Sequence, residues 1–93
     1  MLFVIIGRDS PEAKTLRPEL RPAHLEHLGD LNRQGRILLA GPLTDGAGSL
    51  IVLDAPSEDD ARAIAGSDPY TVGGVFESVE VHPFKQVLPA IDV

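Results

Sequence analysis

Apolar positions run along this chain in two rhythms, one of unbroken short runs and one of three- and four-residue steps. Leu2-Phe3-Val4-Ile5-Ile6 is a run of branched and aromatic residues closed by Gly7, and it predicts a strand starting almost at the terminus. Residues 8–21 are polar and carry Pro11 and Pro18, which predicts a loop with at most an irregular helical turn. From Pro22 the period lengthens. His24, Leu28, Leu31 and Gly35 recur at helical spacing, with Leu25 flanking the stripe. Pro22 suits the first helical position, where its missing N–H costs nothing, and Gly35 is placed to end the helix in a left-handed cap.

The run Arg36 to Leu43 predicts a second strand, in which Gly41-Pro42 suggests a bulge or an edge position. Asp45-Gly46 is a turn signal, and Ser49 to Leu53 predicts a third strand, hairpin-paired with the second. Ser57 with Asp60 resembles a weak capping box, and Ala61, Ile64 and Ala65 form the apolar stripe of a second helix that Gly66 closes. Glu58, Asp59 and Asp60 suit the positive end of that helix. Ser67-Asp68-Pro69-Tyr70 then breaks the pattern with its own cap signal. Val75 to Phe84 predicts a fourth strand. The order β-α-β-β-α-β is the ferredoxin-like arrangement: an α+β fold with a four-stranded antiparallel sheet and two helices on one face. One domain over residues 1–88 is expected, with 89–93 as a C-terminal tail.

Strand parity adds a second expectation. Leu2, Val4 and Ile6 oppose Phe3 and Ile5; Leu50 and Val52 oppose Ile51 and Leu53; Ile37 and Leu39 oppose Leu38 and Ala40. Three strands are therefore apolar on both faces, yet two helices cover only one. A solvated face should alternate with polar residues. A homodimer packed sheet against sheet would cover the surplus. In the fourth strand Val75, Val79 and Val81 share one parity with Glu77, and Phe76, Ser78, Glu80, His82 and Phe84 share the other. Whichever set faces a partner, the space between the sheets is partly polar, and a small pocket enclosing the histidine is expected there; the plainer alternative is an edge strand with solvated polar residues.

Composition narrows the partners. The 93 residues carry a formal charge of −6, with 43% hydrophobic and 24% charged residues. This is globular composition for one domain. The acidic balance lacks the cationic footprint of a nucleic-acid binder. With no cysteine there is no disulfide scaffold, thiolate zinc site or cysteine nucleophile. Leu2 to Ile6 is too short to span a bilayer and lacks a signal-peptide layout. A soluble, cytoplasmic protein without membrane partners is expected.

The candidate chemistry centres on His24, one turn before Leu28 and so on the helix face toward the sheet. A histidine exchanges protons near neutral pH, and a carboxylate on one ring nitrogen would fix its tautomer. A satisfied core histidine is the plainer alternative. Asp68 before Pro69 is the N-cap and N1 pair of a short helical turn, and capping alone could explain it. Arg17 and Arg21 could hold an anionic group by paired hydrogen bonds, or be solvated charge that offsets the acidic surplus. Arg17 reads as the latter. Ser49 could bind a ligand or merely end a turn, and Tyr70 could cover a pocket or be ordinary core. His24 and His27 have metal-binding spacing, but no third ligand is evident, so no metal or other cofactor is expected. No phosphate-cradling glycine loop is present.

Taken together, Arg21-Pro22-Ala23-His24-Leu25, then Gly35-Arg36-Ile37-Leu38-Leu39-Ala40-Gly41-Pro42, Asp68-Pro69-Tyr70, Gly74-Val75 and Val81-His82-Pro83-Phe84-Lys85 make the chain resemble the YCII-related family over about residues 1–88. The departure is His82, where a lysine-like residue is common. The resemblance implies a dimeric α+β barrel built from ferredoxin-like halves, akin to muconolactone-isomerase-like and cofactor-free monooxygenase-like proteins. It further implies a His–Asp active site, here His24 and Asp68, with Arg21, Ser49 and Tyr70 as substrate-binding candidates. Three functions remain: lyase- or isomerase-type proton transfer on a small, aromatic or enol-type molecule; a non-catalytic ligand-binding or regulatory dimer; and a structural module with no pocket at His24.

Overall fold

The computed structural model describes residues 1–90, so 91–93 of the expected tail lie outside the described residues. The elements are β1 (Leu2–Asp9), α1 (Ala13–Arg33), β2 (Ile37–Pro42), β3 (Gly48–Asp54), α2 (Glu58–Ser67), α3 (Pro69–Val72) and β4 (Phe76–Phe84). The four strands form one antiparallel sheet in the order β2-β3-β1-β4, with the helices on one face. This is the ferredoxin-like α+β arrangement that the element order predicts.

Strand parity sorts the side chains as expected. Phe3, Ile5, Ile51, Leu53 and Val81 point to the helices and are buried, together with Leu31, Ala61 and Ala65 from the layer above. On the opposite face Leu2, Val4 and Ile6 align with Leu50, Val52 and Leu39. On the other side of β1 they align with Phe84, His82 and Glu80. The polar residues of β4 therefore lie on the open face. β2 lies at the edge of the sheet, one of the two readings of Gly41-Pro42, while the register shift in its pairing with β3 falls earlier, around Leu38.

The first helix departs most from expectation. Residues 13–21 are helical, so neither the predicted loop nor a start at Pro22 holds. Pro18 and Pro22 both lie inside α1 and are exposed. They remove N–H donors only on a side where water reaches the freed carbonyls, so the helix continues through them. What drives its length is a stripe hidden behind the prolines: Ala13, Leu16, Leu20, His24, Leu28 and Leu31 follow one another at three- and four-residue steps. Leu16 and Leu20 pack with Ala13, Tyr70, Val75 and Phe76 in a second small core, and Leu28 and Leu31 pack with the main one. His24 stands between them.

The predicted caps form. At the end of α1, Gly35 has φ 73°, its N–H donates to Asn32 O, and Arg36 N–H donates to Leu31 O, the paired bonds of a Schellman motif. Ser57 caps α2 by accepting from Asp60 N–H. Gly66 does not close α2, which runs on to Ser67; Gly66 is not among the positive-φ residues, so nothing in its backbone unwinds the helix there. Gly7 has a different task. A Cβ there would come within 2.5 Å of the Phe76 ring, which lies across it.

Candidate active site

Three elements converge on His24. Its place in the α1 stripe buries it to 7% exposure against the helix-side face of the sheet. Asp68 ends α2 and caps α3, with Pro69 at the first helical position and the side chain accepting from Tyr70 N–H at 2.9 Å. Asp68 is itself buried, and its Oδ1 lies 2.7 Å from His24 Nδ1. A carboxylate that orients a backbone N–H is an acceptor, so Nδ1 carries a proton, and in the neutral imidazole Nε2 is then the acceptor. Among the described residues Nε2 has no hydrogen-bond partner.

Tyr70 fixes the imidazole plane. The two rings stack at 3.7 Å between centroids and 5° between planes. Tyr70 in turn meets Phe76 edge-on at 5.7 Å. Tyr70 is thus both core and the wall behind the histidine.

A cavity of about 500 Å³ opens beside this pair, between α1 (Arg17, Arg21, His24), the β2–β3 hairpin (Pro42, Ser49) and Tyr70. It lies on the helix side of the sheet. A pocket between two sheets is therefore not where His24 sits. The reason is geometric: the stripe that buries His24 is the stripe that packs on the sheet. Ser49 is buried and lines the cavity, and Arg21 stands exposed at its rim without an ion pair among the described residues.

Arg17 is not the solvated charge its polar neighbourhood suggests. It is mostly buried, and Asp9 takes its Nε at 2.9 Å and its Nη2 at 2.7 Å. Nη2 also donates to Ser49 Oγ at 3.1 Å, and the guanidinium lies 5.1 Å from the Tyr70 ring centroid. The hydrogen bond to Asp9 raises the arginine pKa, against the opposing effect of burial. The extension of α1 back to Ala13 is what brings Arg17 here, so the residue goes unread when residues 8–21 are taken as loop. His27 lies off the stripe, and no cluster of three metal-ligating side chains occurs among the described residues. No helix of the described residues is long and apolar enough to cross a membrane.

Comparison with known proteins adds to this geometry. Residues 1–85 match the YCII-related domain. The chain is 40% identical to protein YciI of Escherichia coli, over 94% of this chain and 99% of that protein. It is 33% identical to an uncharacterized protein of Haemophilus influenzae with the same coverage. Among solved structures, 5-chloro-2-hydroxyhydroquinone dehydrochlorinase from Burkholderia phenoliruptrix, in complex with 2,5-dihydroxybenzoquinone, superposes with a TM-score of 0.84 at 28% identity. That match covers 98% of this chain and all of the other.

Proposed function

This chain belongs to the YCII-related family, and from that premise we propose that it is a cofactor-independent homodimer transferring protons on a small hydroxylated aromatic or quinone-type molecule. His24 Nε2 is the base and Asp68 holds it. The observation that carries this reading is the 2.7 Å contact between Nδ1 and Asp68, which leaves Nε2 unpartnered beside a cavity large enough for one ring. Tyr70 locks the plane of the base, Ser49 binds a ligand oxygen, and Arg21 attracts an anionic group at the rim.

In the step itself Nε2 takes a proton from an O–H, or from a C–H next to a carbonyl. The electron pair of that bond moves into the conjugated ring. In an isomerisation the imidazolium returns the proton to another carbon; in an elimination a leaving group departs with its own electron pair. Asp68 stabilises the imidazolium between these events. The likeness to a dehydrochlorinase that holds a dihydroxybenzoquinone supports a ligand of this shape. The apolar open face of the sheet supports pairing of two copies there.

The test is proton exchange. Wild type and His24→Asn are incubated with 2,5-dihydroxybenzoquinone in D2O, and loss of the ring C–H signal is followed by NMR. Exchange begins when the deuterated imidazolium adds a deuteron to the ring carbon of the ionised quinone and ends when Nε2 removes the proton from that carbon, so wild type should speed the loss and the variant should not. Equal rates in both overturn the base. Tight binding without any exchange would make the protein a ligand binder.

A further inference from the structure

The hydrogen bonds around the cavity have a direction that the residue types alone do not. A guanidinium only donates, so at the 3.1 Å contact Ser49 Oγ is the acceptor from Arg17 Nη2. The Ser49 hydroxyl proton then has to go elsewhere. Among the described residues it finds no acceptor, and the side chain lines the cavity. Arg17 is held in place, because Asp9 grips both Nε and Nη2. His24 shows the reverse polarity, with its proton committed to Asp68 and a lone pair left over. One wall of the cavity therefore donates and is cationic, and another accepts.

We propose that the Asp9–Arg17–Ser49 chain determines specificity. It selects ligands that turn an oxyanion or carbonyl oxygen toward Ser49 and Arg17 while a removable proton faces His24. Singly ionised hydroxyquinones and other cyclic vinylogous acids have this pattern; neutral ethers of the same shape do not. Ser49 touches the ligand, and Arg17 is the positioning residue that sets the direction of the serine hydroxyl. As the proton leaves, the electron pair moves through the conjugated system toward the far oxygen, where donors are already in place. This assignment rests on His24 being the proton acceptor, which the exchange experiment measures separately.

The experiment compares 2,5-dihydroxybenzoquinone with its dimethyl ether, 2,5-dimethoxy-1,4-benzoquinone, by calorimetry at the mildly acidic pH where the dihydroxy compound is singly ionised. The readout is the ratio of the two affinities, which a general loosening of the site would not change selectively. Wild type should prefer the dihydroxy compound at least tenfold. Ser49→Ala and Arg17→Lys, with folding checked by circular dichroism, should bring the ratio below threefold. Arg17→Lys keeps the charge but not the fork, and it carries the test if Ser49→Ala does not fold. No preference in wild type, or an undiminished preference in the folded variants, overturns the assignment. If the ratios shift as expected while wild type catalyses no ring-proton exchange, the specificity device stands and the base does not. Exchange with unchanged ratios is the reverse result.

Discussion

Asp68 Oδ1 stands 2.7 Å from Nδ1 of His24 and 2.9 Å from the N–H of Tyr70, so one oxygen atom both starts α3 and orients the imidazole. The residue that donates to it, Tyr70, stacks on the ring that it orients. The imidazole, its carboxylate and its aromatic support are therefore set by a single helix start. A capping role and, on the proposed function, a chemical role meet in Asp68, and substitution separates them.

Asn caps a helix as well as Asp but carries no charge. Asp68→Asn is expected to stay within about 0.5 kcal/mol of wild-type stability while proton exchange falls roughly hundredfold or more. Asp68→Ala also loses the cap and strands a buried imidazole N–H, and should cost roughly 2–4 kcal/mol. Urea unfolding measures the stabilities, and nitrogen NMR of His24 reports whether the proton stays on Nδ1. Undiminished exchange in Asp68→Asn would leave the cap as the residue's whole role.

Gly7→Ala tests the packing under the site. The new methyl would meet the Phe76 ring at 2.5 Å, and that ring supports Tyr70 edge-on. Overpacking of this kind costs about 1–3 kcal/mol. Combining it with Phe76→Leu, which shortens the obstructing side chain, should cost less than the sum of the two single changes by more than about 0.5 kcal/mol. An additive double mutant would show that the ring moves aside freely.

What the sequence made legible followed from local rules. Branched runs marked the strands, Asp45-Gly46 marked the hairpin, and Ser57, Asp68-Pro69 and Gly35 marked helix ends where they occur. The first half of α1 was illegible because Pro18 and Pro22 read as breakers. Their exposure makes them tolerable, and exposure is a tertiary property. That misreading hid Leu16 and Leu20, and with them Arg17. Its partners Asp9 and Ser49 lie on strand residues that only the finished sheet brings together. The contact between His24 and Asp68 spans 44 residues. Family resemblance suggested it, whereas periodicity placed only the histidine.

Pro22→Ala asks how much the interrupted helix gives up. The substitution restores a donor to the carbonyl of Pro18 at an exposed position outside the cavity lining. An interior proline costs up to about 3 kcal/mol, and its loss loosens the unfolded chain by about 0.4–1 kcal/mol. A net gain of roughly 1–2 kcal/mol is expected, read as a higher urea midpoint. A lower midpoint would mean that the proline's fixed backbone angle contributes more than the missing bond.

Glu80 links the open sheet face to pH. Its carboxyl is held below the ordinary value of 4.5, first by the hydrogen bond with His82 and next by that from Arg8. The folded pKa is thus the lower one. Its contribution to stability is complete above the ordinary value and is lost as pH falls through the folded value. Glu80→Gln should lower stability at neutral pH and flatten the acid limb as pH falls below the ordinary carboxyl value. An acid limb as steep as that of wild type would place the titration elsewhere.

The open face itself yields the clearest contrast. Leu39 is 53% exposed in a single chain and lies beside Val52, which pairs through β3 with Val4. If water covers this face, Leu39→Lys changes stability by no more than about 0.5 kcal/mol, as exposed substitutions do. If a second copy covers it, the same change takes an ammonium out of water among the apolar residues of β1–β3. We expect the second case. Wild type should sediment at twice the 9.9 kDa chain mass and unfold at a midpoint that rises with protein concentration. Leu39→Lys should sediment as one chain with a concentration-independent midpoint. Because the cavity lies on the helix side, away from the open face, the monomeric variant should still bind 2,5-dihydroxybenzoquinone. Wild type sedimenting as a single chain would refute the pairing, and loss of binding in a folded monomeric variant would show that the second copy shapes the site from across the sheet.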